Sequence, residues 1–161
     1  MTVTRERALS ASLEDYLEAI LNLSAGSKVA RSKDIAEVLE VSRSSVTGAL
    51  RTLAEKQLVN YKPYGFITLT NQGWAQAEKV VRRHNIIKSF FVSILGVDPT
   101  TAGKAACRAE HALGPQIVNR LLHFIEFATA NNNSGLDLAK EFTKFCENNF
   151  DKVGPDAGEQ M

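Results

Sequence analysis

The chain has 161 residues, 44% of them hydrophobic and 23% charged, with a net charge of +1, enough for one medium domain or two small ones with a core of their own. No apolar run approaches the roughly 18 to 20 residues needed to span a bilayer, and the opening "MTVTRERALS" has no apolar stretch behind its charges, so membrane insertion and secretion are not expected. Two cysteines, Cys107 and Cys146, make no disulfide framework, which points to a reducing cytoplasm and leaves thiol chemistry open.

In chain order, "SLEDYLEAILNLSAG" places Leu13, Tyr16, Leu17, Ile20 and Leu21 at helical spacing, with Ser12 as N-cap and Gly26 as stop. "RSKDIAEVLEVS" offers Ser32 as the cap of a short helix burying Ile35, Ala36 and Leu39, followed by a tight turn through Glu40, Val41 and Ser42. "SRSSVTGALRTLAEKQLV" then restarts with Ser42 as cap and buries Val46, Ala49, Leu50 and Leu53. Two short helices joined by so short a turn cross steeply, as in a helix-turn-helix. "LVNYKPYGFITLT" alternates apolar and polar residues about a Lys62 to Gly65 turn and reads as a hairpin.

Three helices and a hairpin make a winged helix-turn-helix, expected over residues 1–73. The polar start of its third helix suits a major groove: Ser42, Arg43, Ser44, Ser45 and Thr47 can reach base edges, while Arg51 and Lys62 are placed for phosphates. Charge agrees. Residues 41–70 carry Arg43, Arg51, Lys56 and Lys62 against Glu55 alone, a local +3, beside a first forty residues with a local −2. A serine-rich helix start is also simply a good cap, and a protein-binding winged helix is the bland alternative.

From Thr70 one long helix is expected through Trp74, Ala77, Val80, Val81, Ile87, Phe90, Phe91 and Ile94 to Gly96, about 25 residues and roughly 37 Å. Asp98 can cap the next helix with Pro99 at its first position, and "PQIVNRLLHFIEFATA" again opens on Pro. After the loop "NNNSG" comes an amphipathic helix with Leu136, Ala139, Phe142, Phe145 and Cys146, and then a polar tail, expected to be disordered over 151–161. Residues 74–150 are rich in Phe, Leu and Ile yet too few to bury a large core, and are read as a helical metal-binding and dimerisation domain. The fold class is mainly α, with a small β-hairpin wing.

Polar groups interrupt the apolar faces. His84 shares the spacing of Val80, Ile87 and Phe91; Cys107, Glu110 and His111 stand at i, i+3 and i+4 in "KAACRAEHALG"; Asp15 and Glu18 stand at i, i+3 on the first helix. One thiol, two imidazoles and three carboxylates are the donors a first-row divalent metal takes. Singly, each has an ordinary reading: Asp15 near a cap, Glu18 solvated, His84 a hydrogen-bonded core histidine, Cys107 a small buried hydrophobe. The triplet within one turn weighs for ligation, because it costs desolvation unless something compensates.

The order of elements together with "LEDYLEAI", "SSVT", "RRHNII" and "ACRAEHALG" resembles the diphtheria toxin repressor and manganese repressor (DtxR/MntR) family of metal-dependent transcriptional repressors, over roughly residues 10–128. The resemblance implies a winged helix plus a helical dimerisation domain, a homodimer on palindromic operator DNA near metal-uptake genes, and Fe²⁺ or Mn²⁺ as effector, with Co²⁺, Zn²⁺ or Ni²⁺ able to substitute in vitro. It places Asp15 and Glu18 at the manganese branch's helix-one carboxylates, His84 at the long-helix histidine, and Glu110 and His111 at the Glu-His pair of both branches. Cys107 departs from the manganese branch, which has Glu there, and matches the iron branch. Lys88 stands where the iron branch has a glutamate, which puts that branch's ancillary site in doubt. A metal joining these ligands would lock the DNA-binding head to the dimer. The rivals are a redox-sensing winged-helix regulator using Cys107, and an enzyme, against which the one-turn triplet offers no oxyanion donor.

Overall fold

The computed structural model of the chain describes residues 9–25, 29–130 and 137–149. The expected stop at Gly26, the loop over 131–135, Leu136 and the tail over 151–161 lie outside the described residues. The elements are α1 (Ala11–Ala25), α2 (Ser32–Leu39), α3 (Arg43–Glu55), β1 (Val59–Asn60), β2 (Thr68–Leu69), α4 (Asn71–Ser89), a π-helical turn (Phe90–Ile94), α5 (Pro99–Ala109), α6 (Pro115–Ala130) and α7 (Leu138–Asn149). No helix among the described residues is long and apolar enough to cross a membrane. The chain divides between Arg82 and Arg83 into two compact units.

In the N-terminal unit α1 packs on α2 and β2, and α2 on α3. Their apolar stripes meet in a core of Leu17, Ile20, Ile35, Val46, Leu50, Leu53 and Ile67, all with 0% exposure. The turn between α2 and α3 is tight because Glu40 adopts a left-handed conformation (φ 54°) and Val41 N–H reaches back to the Ala36 carbonyl at 3.1 Å. This closes α2 as a Schellman motif with Glu where Gly is usual. Gln57 (φ 59°), with Leu58 N–H bonded to the Leu53 carbonyl, repeats the device after α3.

Ser42 caps α3 as expected, its Oγ accepting from Ser45 N–H at 3.1 Å. Two other expected caps are corrected. Leu13 N–H donates to Ser10 Oγ, so Ser10 rather than Ser12 opens α1. Ser32 lies inside α2, whose N-cap is Arg31 with no side-chain cap bond. In both places the helix opens earlier than expected, and at α2 the extended residue is Arg31 (φ −125°, ψ 151°).

The wing is shorter than its alternating pattern. Two residues pair on each side, Val59 with Leu69 and Asn60 with Thr68, and Gly65 N–H bonds to the Lys62 carbonyl in the turn. An antiparallel bridge between Ala30 and Ile67 ties the wing to the approach to α2. Thr70 then joins three parts: its Oγ donates to the Gln57 carbonyl at 2.7 Å and accepts from Gly73 N–H at 3.0 Å, opening α4. A Cβ on Gly73 would lie 1.8 Å from the Leu58 carbonyl oxygen, so only Gly lets α4 start this close to the chain leaving α3.

In the C-terminal unit α5, α6 and α7 each pack on the π-helical turn. The long helix is thus interrupted where the expectation had it regular, and it ends at Gly96 in a left-handed conformation (φ 70°), as expected. Asp98 accepts from Thr100 and Thr101 N–H and Pro99 occupies the first turn of α5, both as expected. These bonds hold the Asp98 carboxyl below its ordinary value of 3.8, the Thr101 side-chain bond first. The core cluster here is small, with Ile87, Ala106 and Val118 buried and Phe91, Leu113 and Leu121 against them, while Ile94, Ala102 and Ala128 are buried outside it. Trp74 in the N-terminal unit and Phe142 and Phe145 on α7 lie on apolar stripes yet are exposed.

Candidate metal centre and nucleic-acid interface

Glu110 is the C-cap of α5 and the only buried charged residue among those described, at 0% exposure. Each of its oxygens faces an imidazole. Oε2 pairs with His84 Nδ1 of α4 at 2.9 Å, and Oε1 lies 3.4 Å from His111 Nε2. The two rings are themselves mostly buried, at 19% and 15% side-chain exposure. A carboxylate taken out of water costs several kcal/mol, by order of magnitude about 3 to 5 if left without compensation, so this cluster is built rather than incidental. Cys107 lies one turn earlier on α5 and is exposed. The helix ends between the members of the triplet: Cys107 is on α5, Glu110 closes it and His111 is in the following turn.

Asp15 and Glu18 are half-buried on α1 of the N-terminal unit, one turn apart on one side of the helix. Between them Tyr16 is buried, and burial and then the Asp15 carboxylate push its hydroxyl above its ordinary value of 10.0. The structure therefore brings His84, Glu110 and His111 together within one unit and keeps the α1 pair side by side within the other. Lys88 lies beside α5, its Nζ 3.9 Å from the position of a Cβ on Gly103.

A buried carboxylate between two imidazoles is a donor set that fits a divalent first-row metal. Imidazole suits Fe, Zn and Ni, carboxylate suits Mn, and a nearby thiol adds a soft donor. His84 and Glu110, whose Nδ1 and Oε2 lie 2.9 Å apart, would offer nitrogen and oxygen donors to such an ion, with His111 beside the other carboxylate oxygen.

The candidate nucleic-acid face comprises the exposed start of α3 and the wing. Ser42, Arg43, Ser44 and Ser45 are exposed at the start of α3. Ser42 Oγ is shared, since it lies 2.8 Å from both Ser44 Oγ and Ser45 Oγ as well as capping the helix. Thr47 is half-buried and turns its hydroxyl back to the Arg43 carbonyl at 3.0 Å. Arg43 and Arg51 are the exposed cations of α3, and with Thr47 they line a cleft of about 550 Å³ between α3, the start of α2 and the wing. Lys62 is exposed in the wing turn and does not line this cleft.

Two further cations, Arg31 and Lys33, do line it. Sequence reasoning passed over both because they fall in a window whose sum is acidic. The sign of a forty-residue window says nothing about which charges fold toward one another; the cue was their position at the start of the helix preceding the recognition helix.

Comparison with known proteins agrees with this geometry. Residues 8–67 match the family described as iron dependent repressor, N-terminal DNA binding domain, and residues 70–135 match the iron dependent repressor, metal binding and dimerisation domain. An uncharacterised HTH-type transcriptional regulator of Methanocaldococcus jannaschii is 40% identical over 119 residues, covering 73% of this chain and 95% of that one. The HTH-type transcriptional regulator MntR of Shouchella clausii is 33% identical over 133 residues, covering 83% and 92%. Among solved structures, a manganese-dependent transcriptional repressor in complex with manganese superposes with a TM-score of 0.65 at 31% identity, over 71% of this chain and 53% of that one. The manganese regulator SloR gives 0.64 at 29%, over 71% and 54%, so the chain spans about half the length of these solved relatives. With a DNA-binding module followed by a metal-binding and dimerisation module, the chain belongs to the DtxR/MntR family of metal-dependent transcriptional repressors.

Proposed function

We propose that this repressor is a cytoplasmic homodimer whose operator binding is switched on by Fe²⁺ or Mn²⁺, and that it controls metal-uptake genes through a palindromic site. The observation that carries the reading is Glu110, fully buried with an imidazole at each oxygen. In this reading Asp15 and Glu18 complete the ligand set with His84, Cys107, Glu110 and His111. When bound, the metal supplies positive charge that offsets the mutual repulsion of the carboxylates. Joining ligands of α1 to ligands of α4 and α5 then restricts how the DNA-binding helices are presented to successive major grooves, about 34 Å apart.

Turning a mostly inactive population into a mostly active one takes a differential of about 5 kcal/mol, within reach of a transition-metal site. Exposed Ile117, Phe124 and Phe127 on α6 support a second copy as partner, since that much apolar surface on a thin core is otherwise costly.

The test is fluorescence anisotropy with duplex DNA selected from a random pool, at fixed salt, with Mn²⁺, Fe²⁺, Co²⁺ or Zn²⁺ and with a chelator. Metal should tighten binding by about 100-fold or more, and Glu110→Gln, which keeps the side chain's size, should abolish most of that gain. Equal affinity with and without metal would overturn the reading; chelator-insensitive, peroxide-sensitive binding would point to the exposed Cys107 thiol as a redox switch instead. The retained thiol favours iron, so Cys107→Glu should move the metal ranking toward Mn²⁺. An unchanged ranking would remove Cys107 from the determinants of selectivity.

A further inference from the structure

The bridge between Ala30 and Ile67 sets an antiparallel register whose next pair is Arg31 opposite Phe66. The two side chains meet: the Arg31 guanidinium carbon lies 5.2 Å from the centroid of the Phe66 ring. Phe66 is half exposed, so its ring is a platform at the surface and not part of the core. A guanidinium held over a ring face is attracted by the ring's quadrupole, which restricts its rotamers while its N–H donors stay available to an oxyanion. Both residues line the cleft that also receives Arg43 and Arg51 from α3, and among the described residues no Asp or Glu lines it. The second cation at this edge, Lys33, is 3.7 Å from Glu37 and so partly engaged.

We propose that Arg31, held on the Phe66 ring, is a preorganised phosphate clamp, so that duplex DNA entering the cleft is gripped at the α2 and wing edge as well as by α3. The inference rests on the DNA-binding reading above and adds residues outside the recognition helix. It explains why a wing of two-residue strands is tied to the start of α2: the tie holds cation and platform in register. A phosphate contact positions the duplex without reading its sequence, so its loss acts alike on every sequence.

The experiment uses the full chain with Mn²⁺ and two probes, a mixed-sequence duplex of about 30 base pairs and a duplex selected by the wild-type protein, each titrated across a salt series. Arg31→Ala should weaken both probes alike, by about 5- to 10-fold, and lower the slope of log affinity against log salt by about 0.9, one phosphate contact. Arg31→Lys should restore the slope but only part of the affinity, because charge returns without the stacked plane. Phe66→Leu should keep the slope and lose about 3-fold in affinity, the order of a surface cation–π contact. Unchanged slope and affinity in Arg31→Ala, with wild-type protein binding normally, would overturn the clamp alone. Failure of wild-type protein to bind either duplex would overturn the DNA-binding reading with it. A merely structural role would lower the melting temperature of Arg31→Ala without changing the slope in Arg31→Lys relative to Arg31→Ala, and that outcome also overturns the clamp.

Discussion

The two units bury apolar surface very differently. Among the described residues the core cluster of the N-terminal unit joins fourteen buried apolar side chains, whereas that of the helical unit joins three, with Ile94, Ala102 and Ala128 buried apart from it and Ile117, Phe124, Phe127, Phe142 and Phe145 exposed. The contrast teaches that the DNA-binding unit has one continuous apolar core, while the apolar burial of the metal-binding unit is smaller and broken up. Its polar cluster of His84, Glu110 and His111 occupies space that a self-sufficient fold would fill with hydrocarbon.

The contrast can be broken by substitution. Leu50→Ala removes a fully buried side chain from the larger core and should cost about 3 kcal/mol in chemical denaturation. A loss below about 1 kcal/mol would show that this core is looser than its packing implies.

Gly73→Ala comes next. Ala is the better helix former by about 1 kcal/mol, but its methyl would meet the Leu58 carbonyl, and overpacking against backbone costs about 2 to 3, so net destabilisation is expected. Stabilisation would mean that α4 can move away from Leu58 at little cost.

Phe124→Ala in the helical unit loses an edge contact with Phe90, centroids 6.1 Å apart, worth about 1 kcal/mol within one protomer. If the same ring also serves the proposed dimer, the drop in melting temperature should be largest in concentrated protein and shrink toward the single-protomer value on dilution, as the wild type too loses its partner. A drop equal at every concentration would take this part of α6 out of the dimer surface.

The smallest effect concerns Asp98. Its folded pKa is lowered, so its contribution is complete above its ordinary value of 3.8 and is lost as pH falls through the lower folded value. Acid titration monitored by helicity should show wild type losing this advantage over Asp98→Asn below about pH 4. A difference persisting to lower pH would assign the cap to the side-chain carbonyl oxygen rather than to charge.

Much of this could be read before folding. The period of α1, α2 and α3, the three-residue turn, the Ser42 cap, the Lys62 to Gly65 turn and the Asp98-Pro99 start were all evident, because each depends on residues within one or two turns of one another. The misses are of two kinds. Ser10 displaced Ser12 and Arg31 displaced Ser32 because a cap is decided by where the backbone turns extended, and several hydroxyls stood close enough to serve. Glu40 and Gln57 took left-handed conformations with no glycine to announce them. The π-helical turn likewise interrupts a stretch whose spacing was regular.

For the site, the boundary between sequence and structure runs through Glu110. Spacing alone set Cys107, Glu110 and His111 close together and put His84 on the apolar side of a separate helix, since helical periodicity is local. It could not say that α5 would end at Glu110, that this carboxylate would be fully buried while Cys107 stayed exposed, or that each oxygen would meet an imidazole, one from 26 residues away. Nor could it say that Arg31, counted within an acidic stretch, would lie over the Phe66 ring and share a cleft with Arg43 and Arg51 of α3. Which residues share a face follows from the repeat of one helix. Which faces meet, and how far each side chain is withdrawn from water, depends on packing between elements distant in sequence, and only the tertiary structure decides that.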